Sequence, residues 1–219
     1  PNQETEGTEI NDTPLLLTTD QPVTAWQLNT PTPLPNYSAD ASLLLPVHAL
    51  GTDYIGVSWK HRANGFTLAG YLTVVATEDG TEVTVTPTAA VEAGPGIPRM
   101  PAGQPVTLML DAGQLLALRT EGPDGADLTG TRITATAPVA VFGGHACANI
   151  PTTSTGYCDH LEEQLTPVSR WGTQFVVPVI AQRSDENFEL VRVVAATNGT
   201  TVNALGQVHS LNAGHYVDL

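Results

Sequence analysis

The stretch LTVVATEDGTEVTVTP, residues 72–87, decides the fold class of this 219-residue chain. In residues 82–86 valine alternates with glutamate and threonine, and a period of two places apolar and polar side chains on opposite faces of a β-strand. Asp79 and Gly80 form the dipeptide that is typical of a type I′ hairpin turn. The stretch therefore predicts two antiparallel strands joined by a tight turn.

The same strand pattern continues through the rest of the chain. Short runs rich in Val, Thr, Leu and Ile are bounded by Gly, Pro, Asp and Asn, and Asn198 with Gly199 repeats the hairpin dipeptide. No segment keeps a 3.6-residue period, and the best helical candidate, residues 157–164, spans only about two turns. We expect an all-β protein with little helix.

Two copies of one β-rich unit make up most of the sequence. Four pairs of segments match between the copies: 15–29 with 132–145, 44–56 with 165–177, 74–83 with 193–202, and 110–118 with 211–219. Pro22, for example, aligns with Pro138. Because a repeat of this kind indicates a repeated structural unit, we expect two tandem antiparallel β-sandwich modules that are jelly-roll-like. The first unit would span residues 1–131 and the second unit residues 132–219.

The second unit is the shorter one. It lacks a counterpart of GPGIPRMPAGQPV, residues 94–106, which we interpret as an extra hairpin or loop of the first unit. It also stops at Leu219 on a predicted strand whose counterpart in the first unit continues toward Gly130. We therefore expect the chain to be a piece of a longer protein, whose other domains are among its partners.

The charge balance limits the classes of partner. The chain has 22 acidic and 8 basic residues, a formal net charge of −14, so it would repel nucleic acids and anionic membrane surfaces. No apolar run reaches the roughly 18 residues that cross a bilayer, and membrane insertion is not expected. Carboxylates could ligate calcium, although no EF-hand pattern is present. Otherwise we expect no cofactor, and zinc is disfavoured.

Reactive side chains are concentrated in PVAVFGGHACANIPTTSTGYCDHLEEQ, residues 138–164. This stretch holds both cysteines and two histidines, whereas its counterpart, residues 22–43, has neither. Cys147 and Cys158 most simply form a disulfide, because no CxxC motif accompanies them. The first alternative is a tetrahedral zinc site with four ligands: His145, Cys147, Cys158 and His160. The second keeps the disulfide and adds a metal site or polar network of four side chains: His145, Asp159, His160 and Glu163.

Aromatic and basic residues elsewhere have packing explanations. Trp26 aligns with Phe142 and Trp171 with Leu50, which favours core positions for the tryptophans over a sugar-stacking platform. The basic cluster at residues 60–62 could receive a carboxylate or a sialic-acid-like ligand, but a solvated strand end is the simpler explanation.

Four segments in order carry a resemblance to a known family: LTTDQPVTAWQLN (17–29), DASLLLPVHALGTDYIGVSW (40–59), PVAVFGGHACANIP (138–151) and CDHLEEQLTPVSRWGTQFVV (158–177). Together they resemble the N-terminal domain family of the IgG Fc-binding protein, which also occurs in bacterial surface and secreted proteins. The resemblance implies an extracellular, non-catalytic binding or adhesion module with Cys147 and Cys158 at the paired-cysteine positions. It places five further residues at motif positions: His145, Asp159, His160, Glu163 and Gln164. The single lysine and the lack of further cysteines favour a bacterial surface protein.

We expect residues 145–164 to form the site of an extracellular or cell-surface recognition module for a protein or a glycan. The candidate residues are His145, Tyr157, Asp159, His160, Glu163 and Gln164. Two other classes stay open. One is a structural spacer module of a surface protein, and the other is a metal-dependent hydrolase that uses the His/Cys/Asp/Glu cluster.

Overall fold

The computed structural model describes residues 7–29, 39–65, 67–178 and 190–219. Over these residues the chain forms strands and two short 3-10 helices, Val47–Ala49 and Val168–Arg170. The strands are β1 (Glu9–Asn11), β2 (Ala25–Asn29), β3 (Asp40–Leu44), β4 (Gly51–Ile55), β5 (Gly70–Ala76), β6 (Thr81–Thr86), β7 (Val106–Leu110), β8 (Leu115–Arg119), β9 (Arg132–Ala148), β10 (Asp159–Gln164), β11 (Arg192–Val194), β12 (Thr200–Ala204), β13 (Gln207–Leu211) and β14 (Tyr216–Asp218). The all-β prediction is confirmed. None of the helices in these ranges is long and apolar enough to cross a membrane.

β9 is the central strand of an eight-stranded antiparallel sheet. Along one edge it pairs with β6 through residues 132–135 and with β5 through residues 139–145. β4 and β10 pair with β9 along the opposite edge. β5 and β6 therefore lie end to end beside one long strand, and β8 and β7 continue the sheet outside them.

The predicted hairpin at Asp79 and Gly80 is wrong, because the strands on either side of it do not pair with each other. Gly80 has the positive φ that the prediction required, 65°, yet β5 and β6 both pair with β9. This turn and the β7–β8 connection lie side by side and together form one corner of the sheet. The Gly80 N–H donates to the Asp111 carboxylate (3.0 Å), and the Ala112 N–H donates to the Asp79 carboxylate (3.0 Å).

The two halves of the curled sheet enclose one hydrophobic core. Leu72 and Val74 of β5 lie in the same buried cluster as Val83 and Val85 of β6. The predicted alternation in residues 82–86 is confirmed, since the two valines are buried and the residues between them are more exposed. Burying each of these side chains stabilises the fold by about 1.5–3 kcal/mol.

Two other local predictions have different outcomes. The extra segment of the first unit does contain a small hairpin, in which Val91 pairs with Met100 and Gly94 with Ile97. Residues 157–164, the helical candidate, do not form a helix, because β10 runs through most of them. Its pairing with the edge of β9 outweighs the weak tendency of so short a segment to form a helix.

The tryptophans do not all occupy core positions. Trp59 is buried, whereas Trp26 on β2 is 57% exposed, so its predicted core position is wrong. β2 pairs with β3 in a separate two-stranded sheet over the described residues. The alignment of Trp26 with Phe142 of β9 therefore reflects similar sequence, but the two side chains have different surroundings.

Equivalent strands of the two units pair in the same register. Val74–Leu116 corresponds to Val193–Val217, Thr81–Leu110 to Thr200–Leu211, and Trp26–Leu43 to Phe142–Gln164. As at the first corner, Asn198 and Gly199 do not join a hairpin, because β11 pairs with β14 and β12 with β13. The boundary between residues 131 and 132 stays a prediction. β9, which begins the second unit, pairs with β4, β5 and β6 of the first unit as well as with β10 of the second.

Candidate functional site

A disulfide closes the connection between β9 and β10. Cys147 and Cys158 are bonded, with their Cα atoms 5.0 Å apart. In the chain-entropy model a loop of this length stabilises the folded state by about 3 kcal/mol. Because both sulfur atoms are used, no thiolate is left for the zinc alternative with His145 and His160. Among the described residues no group of three or more His, Cys, Asp or Glu side chains is placed to hold a metal ion.

Asn149 organises the loop from the inside. Its buried side-chain amide donates to the carbonyl oxygens of Thr155 (2.9 Å) and Tyr157 (3.0 Å). Its own backbone carbonyl accepts a hydrogen bond from the Trp59 indole at 2.9 Å, and its Oδ1 accepts one from the Arg62 guanidinium at 3.2 Å. Asn149 therefore links the start of the loop to its end and also attaches the loop to the segment of Trp59 and Arg62.

Asp124 joins this loop to two others. Its carboxylate accepts hydrogen bonds from the Thr153 hydroxyl at 2.6 Å and from the Ala63 N–H at 3.0 Å. These bonds, that of Thr153 first, lower the pKa of Asp124. We call the three connected loops the loop cluster: residues 61–65, 121–126 and 149–157.

Tyr157 is the most exposed aromatic side chain of the loop cluster. Its side chain is fully exposed, at 100%, and its backbone φ is 61°. Non-glycine residues adopt this left-handed region only occasionally, and here the hydrogen bond from Asn149 to the Tyr157 carbonyl holds it. Ile150, Thr152 and Ser154 are also exposed. The surface of the loop is thus accessible while its backbone is fixed.

Gln164 and Glu163 lie on the other side of this region, where β10 packs on β3. The buried Gln164 side chain accepts a hydrogen bond from the Leu45 N–H at 2.6 Å, and the backbone N–H of Gln164 donates to the Ser42 hydroxyl at 2.7 Å. Burial, and then the charge of Asp40, raise the pKa of Glu163. The structure thus places Gln164 in a structural contact away from the loop surface.

The two histidines of the motif lie in different environments. His145 is 1% exposed, and its Nδ1 accepts the Cys147 N–H at 3.0 Å. Burial lowers the pKa of His145 to about 4, so the ring is neutral at pH 7. His160 lies 3.6 Å from the Glu162 carboxylate and 3.4 Å from the Tyr71 hydroxyl. The bond to Glu162 raises the pKa of His160 although burial opposes it.

Asp159, the last predicted residue, and the residues of the basic cluster differ in exposure and in their contacts. The exposed Asp159 accepts the N–H of His160 at 3.0 Å. In the basic cluster His61 is buried, and burial lowers its pKa. The Lys60 ammonium lies 5.2 Å from the centre of the Trp59 ring. The cluster therefore does not form a continuous basic patch.

Arg192 connects the second unit to the base of the loop cluster. Its buried guanidinium binds the Asp218 and Asp127 carboxylates, at 2.7 Å and 2.8 Å. It also lies 4.2 Å from the centre of the Trp59 ring and 4.0 Å from that of Tyr216. Burial alone would lower the pKa of Arg192, but the bond to Asp218 and the charge of Asp127 raise it. We call this contact the Arg192 junction.

A sequence profile described as IgGFc binding protein matches residues 40–219, which contain the disulfide, the loop cluster and the Arg192 junction. The chain belongs to the IgGFc-binding protein family. The IgGFc-binding protein of Homo sapiens is 35% identical to it over 164 residues, which are 73% of this chain and 3% of the human protein. The chain thus spans a small fraction of the length of this family member. No solved structure matches it.

Within the IgGFc-binding domain, sequence reasoning found the cysteine stretch but missed Asn149 and Asp124, and it did not connect Arg62 of the basic cluster with this stretch. Asn149, Asp124 and Arg62 supply hydrogen bonds that join separate loops. Asn149 could have been singled out by its place two residues after Cys147. Nothing in the sequence around Asp124 indicates that Thr153 is its partner, since 29 residues separate them.

Proposed function

We propose that this chain is an extracellular, non-catalytic recognition module, and that its ligand is a protein surface bound by the loop cluster. The observation that carries the proposal is a fully exposed Tyr157 on a backbone held by Asn149 and the disulfide. A loop that is ordered before binding loses less conformational entropy in the complex. Exposed tyrosine is a common anchor of protein interfaces.

The family name and the disulfide support the two finer parts of the proposal. The human relative is named for binding IgG Fc, which favours a protein ligand over a free glycan. The Cys147–Cys158 bond suits an oxidising compartment such as the cell exterior. The hydrolase alternative has less support, because the disulfide leaves it no thiolate and His145 lies in the interior.

The test uses the IgG Fc fragment, before and after enzymatic removal of its glycan, as the probe in a binding titration. We expect Tyr157→Ala to raise the Kd at least about tenfold, as the loss of an interface anchor does. The control is Val208→Ala, which truncates another exposed side chain on β13. Equal binding by wild type and Tyr157→Ala, or loss of binding on removal of the glycan alone, would contradict the proposal.

A spacer function is the second candidate, and the Arg192 junction is the observation that favours it. A guanidinium with two carboxylate partners and two aromatic neighbours fixes the second unit against the first. A spacer would keep Fc binding undetectable in every variant, whereas the recognition module loses it selectively at Tyr157.

A further inference from the structure

Residues 15–24 expose apolar side chains although their counterpart in the second unit is buried. Leu17 is 60% exposed and Val23 is 63% exposed. The aligned residues of β9, Ile133 and Val139, are both at 0%. Residues 15–24 form no strand. Within the part of the chain that the structure describes, a segment with the sequence of a central strand thus lacks the neighbours that a central strand has.

The second unit has the opposite deficiency. Over the described residues β11 pairs with β14 and β12 with β13, whereas their equivalents β5 and β6 each pair with β9 as well. Val202 and Ala204 of β12 are partly exposed, while Val83 and Val85 are fully buried. An open sheet edge of this kind accepts an added strand.

Residues 172–177 show the same deficiency on the other side. They align with β4, which pairs with the opposite edge of β9. Phe175 is 77% exposed, whereas its counterpart Tyr54 is at 0%. Among the described residues, β11, β12 and residues 172–177 therefore have no neighbour in the place that the first half of β9 takes in the first unit.

We propose that residues 15–24 of one molecule, continued by the first residues of β2, add as an antiparallel strand to β12 and β11 of another molecule of the same chain. The template is the contact that β9 makes with β5 and β6 within the chain. The donor segment has a single charged residue, Asp20, so its burial removes little charge from water. Pro22 aligns with Pro138, which lies between the two paired halves of β9, where the missing N–H disturbs no ladder.

The internal contact also sets the register of the proposed one. β9 pairs Val139 with Ala76, Ala135 with Val83, and Ile133 with Val85. Transferred to the aligned positions, the pairs become Val23 with Ala195, Thr19 with Val202, and Leu17 with Ala204. Leu17 and Val23 then enter the face on which Ile133 and Val139 are buried in the first unit.

The association is head to tail, since the donor and the acceptor are different surfaces of the molecule. Such heterologous contacts form open chains unless the rotation closes a ring. This proposal is independent of the loop cluster, so its failure would leave Fc recognition in place.

Sedimentation of the intact chain over a range of concentrations provides the first test. We expect species that grow beyond the dimer as concentration rises, and a monomer for the double variant Leu17→Asp/Val23→Asp. Both side chains are exposed in the structure, so the variant keeps its fold. The control, Val47→Asp/Met109→Asp, places the same charges on other exposed apolar residues and should still assemble. Assembly that persists in the Leu17→Asp/Val23→Asp variant, or a wild type that stays monomeric throughout, would overturn the proposal.

A peptide of residues 15–29 provides the second test, with the monomeric double variant as its receptor. We expect one peptide to bind per chain and to protect amides of β11 and β12 from hydrogen exchange. The same peptide with both aspartates should bind at least about 100-fold more weakly, because two carboxylates would be buried without partners. Protection of any other strand edge would show that the proposed acceptor is wrong.

Discussion

The corners of the two units have nearly the same hydrogen bonds but very different surroundings. In the first unit Gly80 donates to the Asp111 side chain at 3.0 Å, and in the second Gly199 donates to the Asn212 side chain at 3.3 Å. The registers of the flanking strand pairs also agree. The units differ in burial. Among the described strands, β9 pairs with the strands of the first corner, and no strand takes the equivalent place at the second corner. Turn and register thus follow from local sequence, whereas the core depends on a strand supplied by another unit.

The largest expected effect compares two aligned residues, Ile133 and Leu17. Ile133→Ala should lower the free energy of unfolding by about 2–5 kcal/mol, since it leaves a cavity beside the central strand. Leu17→Ala should change it by less than about 0.5 kcal/mol, because that side chain is exposed in the single molecule. Urea denaturation at low protein concentration measures both. Equal effects would show that the two segments are buried alike.

The next effect concerns His145, which aligns with Asn29 of the first unit. Burial lowers the pKa of His145 to about 4, below the roughly 6.5 of an unfolded histidine. The unfolded chain therefore binds this proton first, and stability falls as the pH drops from about 6.5 toward 4. At pH 5 the loss is about 2 kcal/mol. His145→Asn, which copies the first unit, should remove this part of the pH dependence of urea unfolding. An unchanged pH profile would show that other groups cause it.

The smallest effect separates the two corners. Asp79→Ala removes the acceptor for the Ala112 N–H, and Asn198→Ala removes the equivalent acceptor for Ala213. Each should lower the midpoint of thermal unfolding by the equivalent of about 1 kcal/mol. The Asp79 variant should show the larger change, because an ionised acceptor makes the stronger bond. A much larger loss for Asn198 would mean that the second corner depends more on its local bonds.

The sequence predicted those features that depend on neighbours along the chain. The alternation in residues 82–86, the position of the extra hairpin and the strand content follow from local pattern. The pairing of β5 and β6 with β9 could not be predicted from the Asp79-Gly80 dipeptide, because a positive φ serves a corner as well as a hairpin. The exposure of Trp26 could not be predicted either, because alignment identifies a residue type and says nothing about which strands surround it.

The candidate site was only partly predictable. The cysteines and the polar residues near them marked its position, and Tyr157 was a candidate because it lies in the same stretch of sequence. The division of the motif into an interior part, with His145 and Gln164, and an accessible part requires the packing of β10 on β3. Bonds such as that from Thr153 to Asp124 join residues that no periodicity relates.

The place of β9 has a consequence for how the protein can be divided. The predicted second unit begins at residue 132, but the sheet that holds the strands of the predicted first unit includes the strand that follows this point. The predicted repeat unit and the observed sheet are therefore out of phase by one strand. A truncation that is meant to isolate the first unit has to retain residues 132–148. Recombination at the sequence repeat would exchange central strands between neighbours and leave each sheet with the strand of another unit.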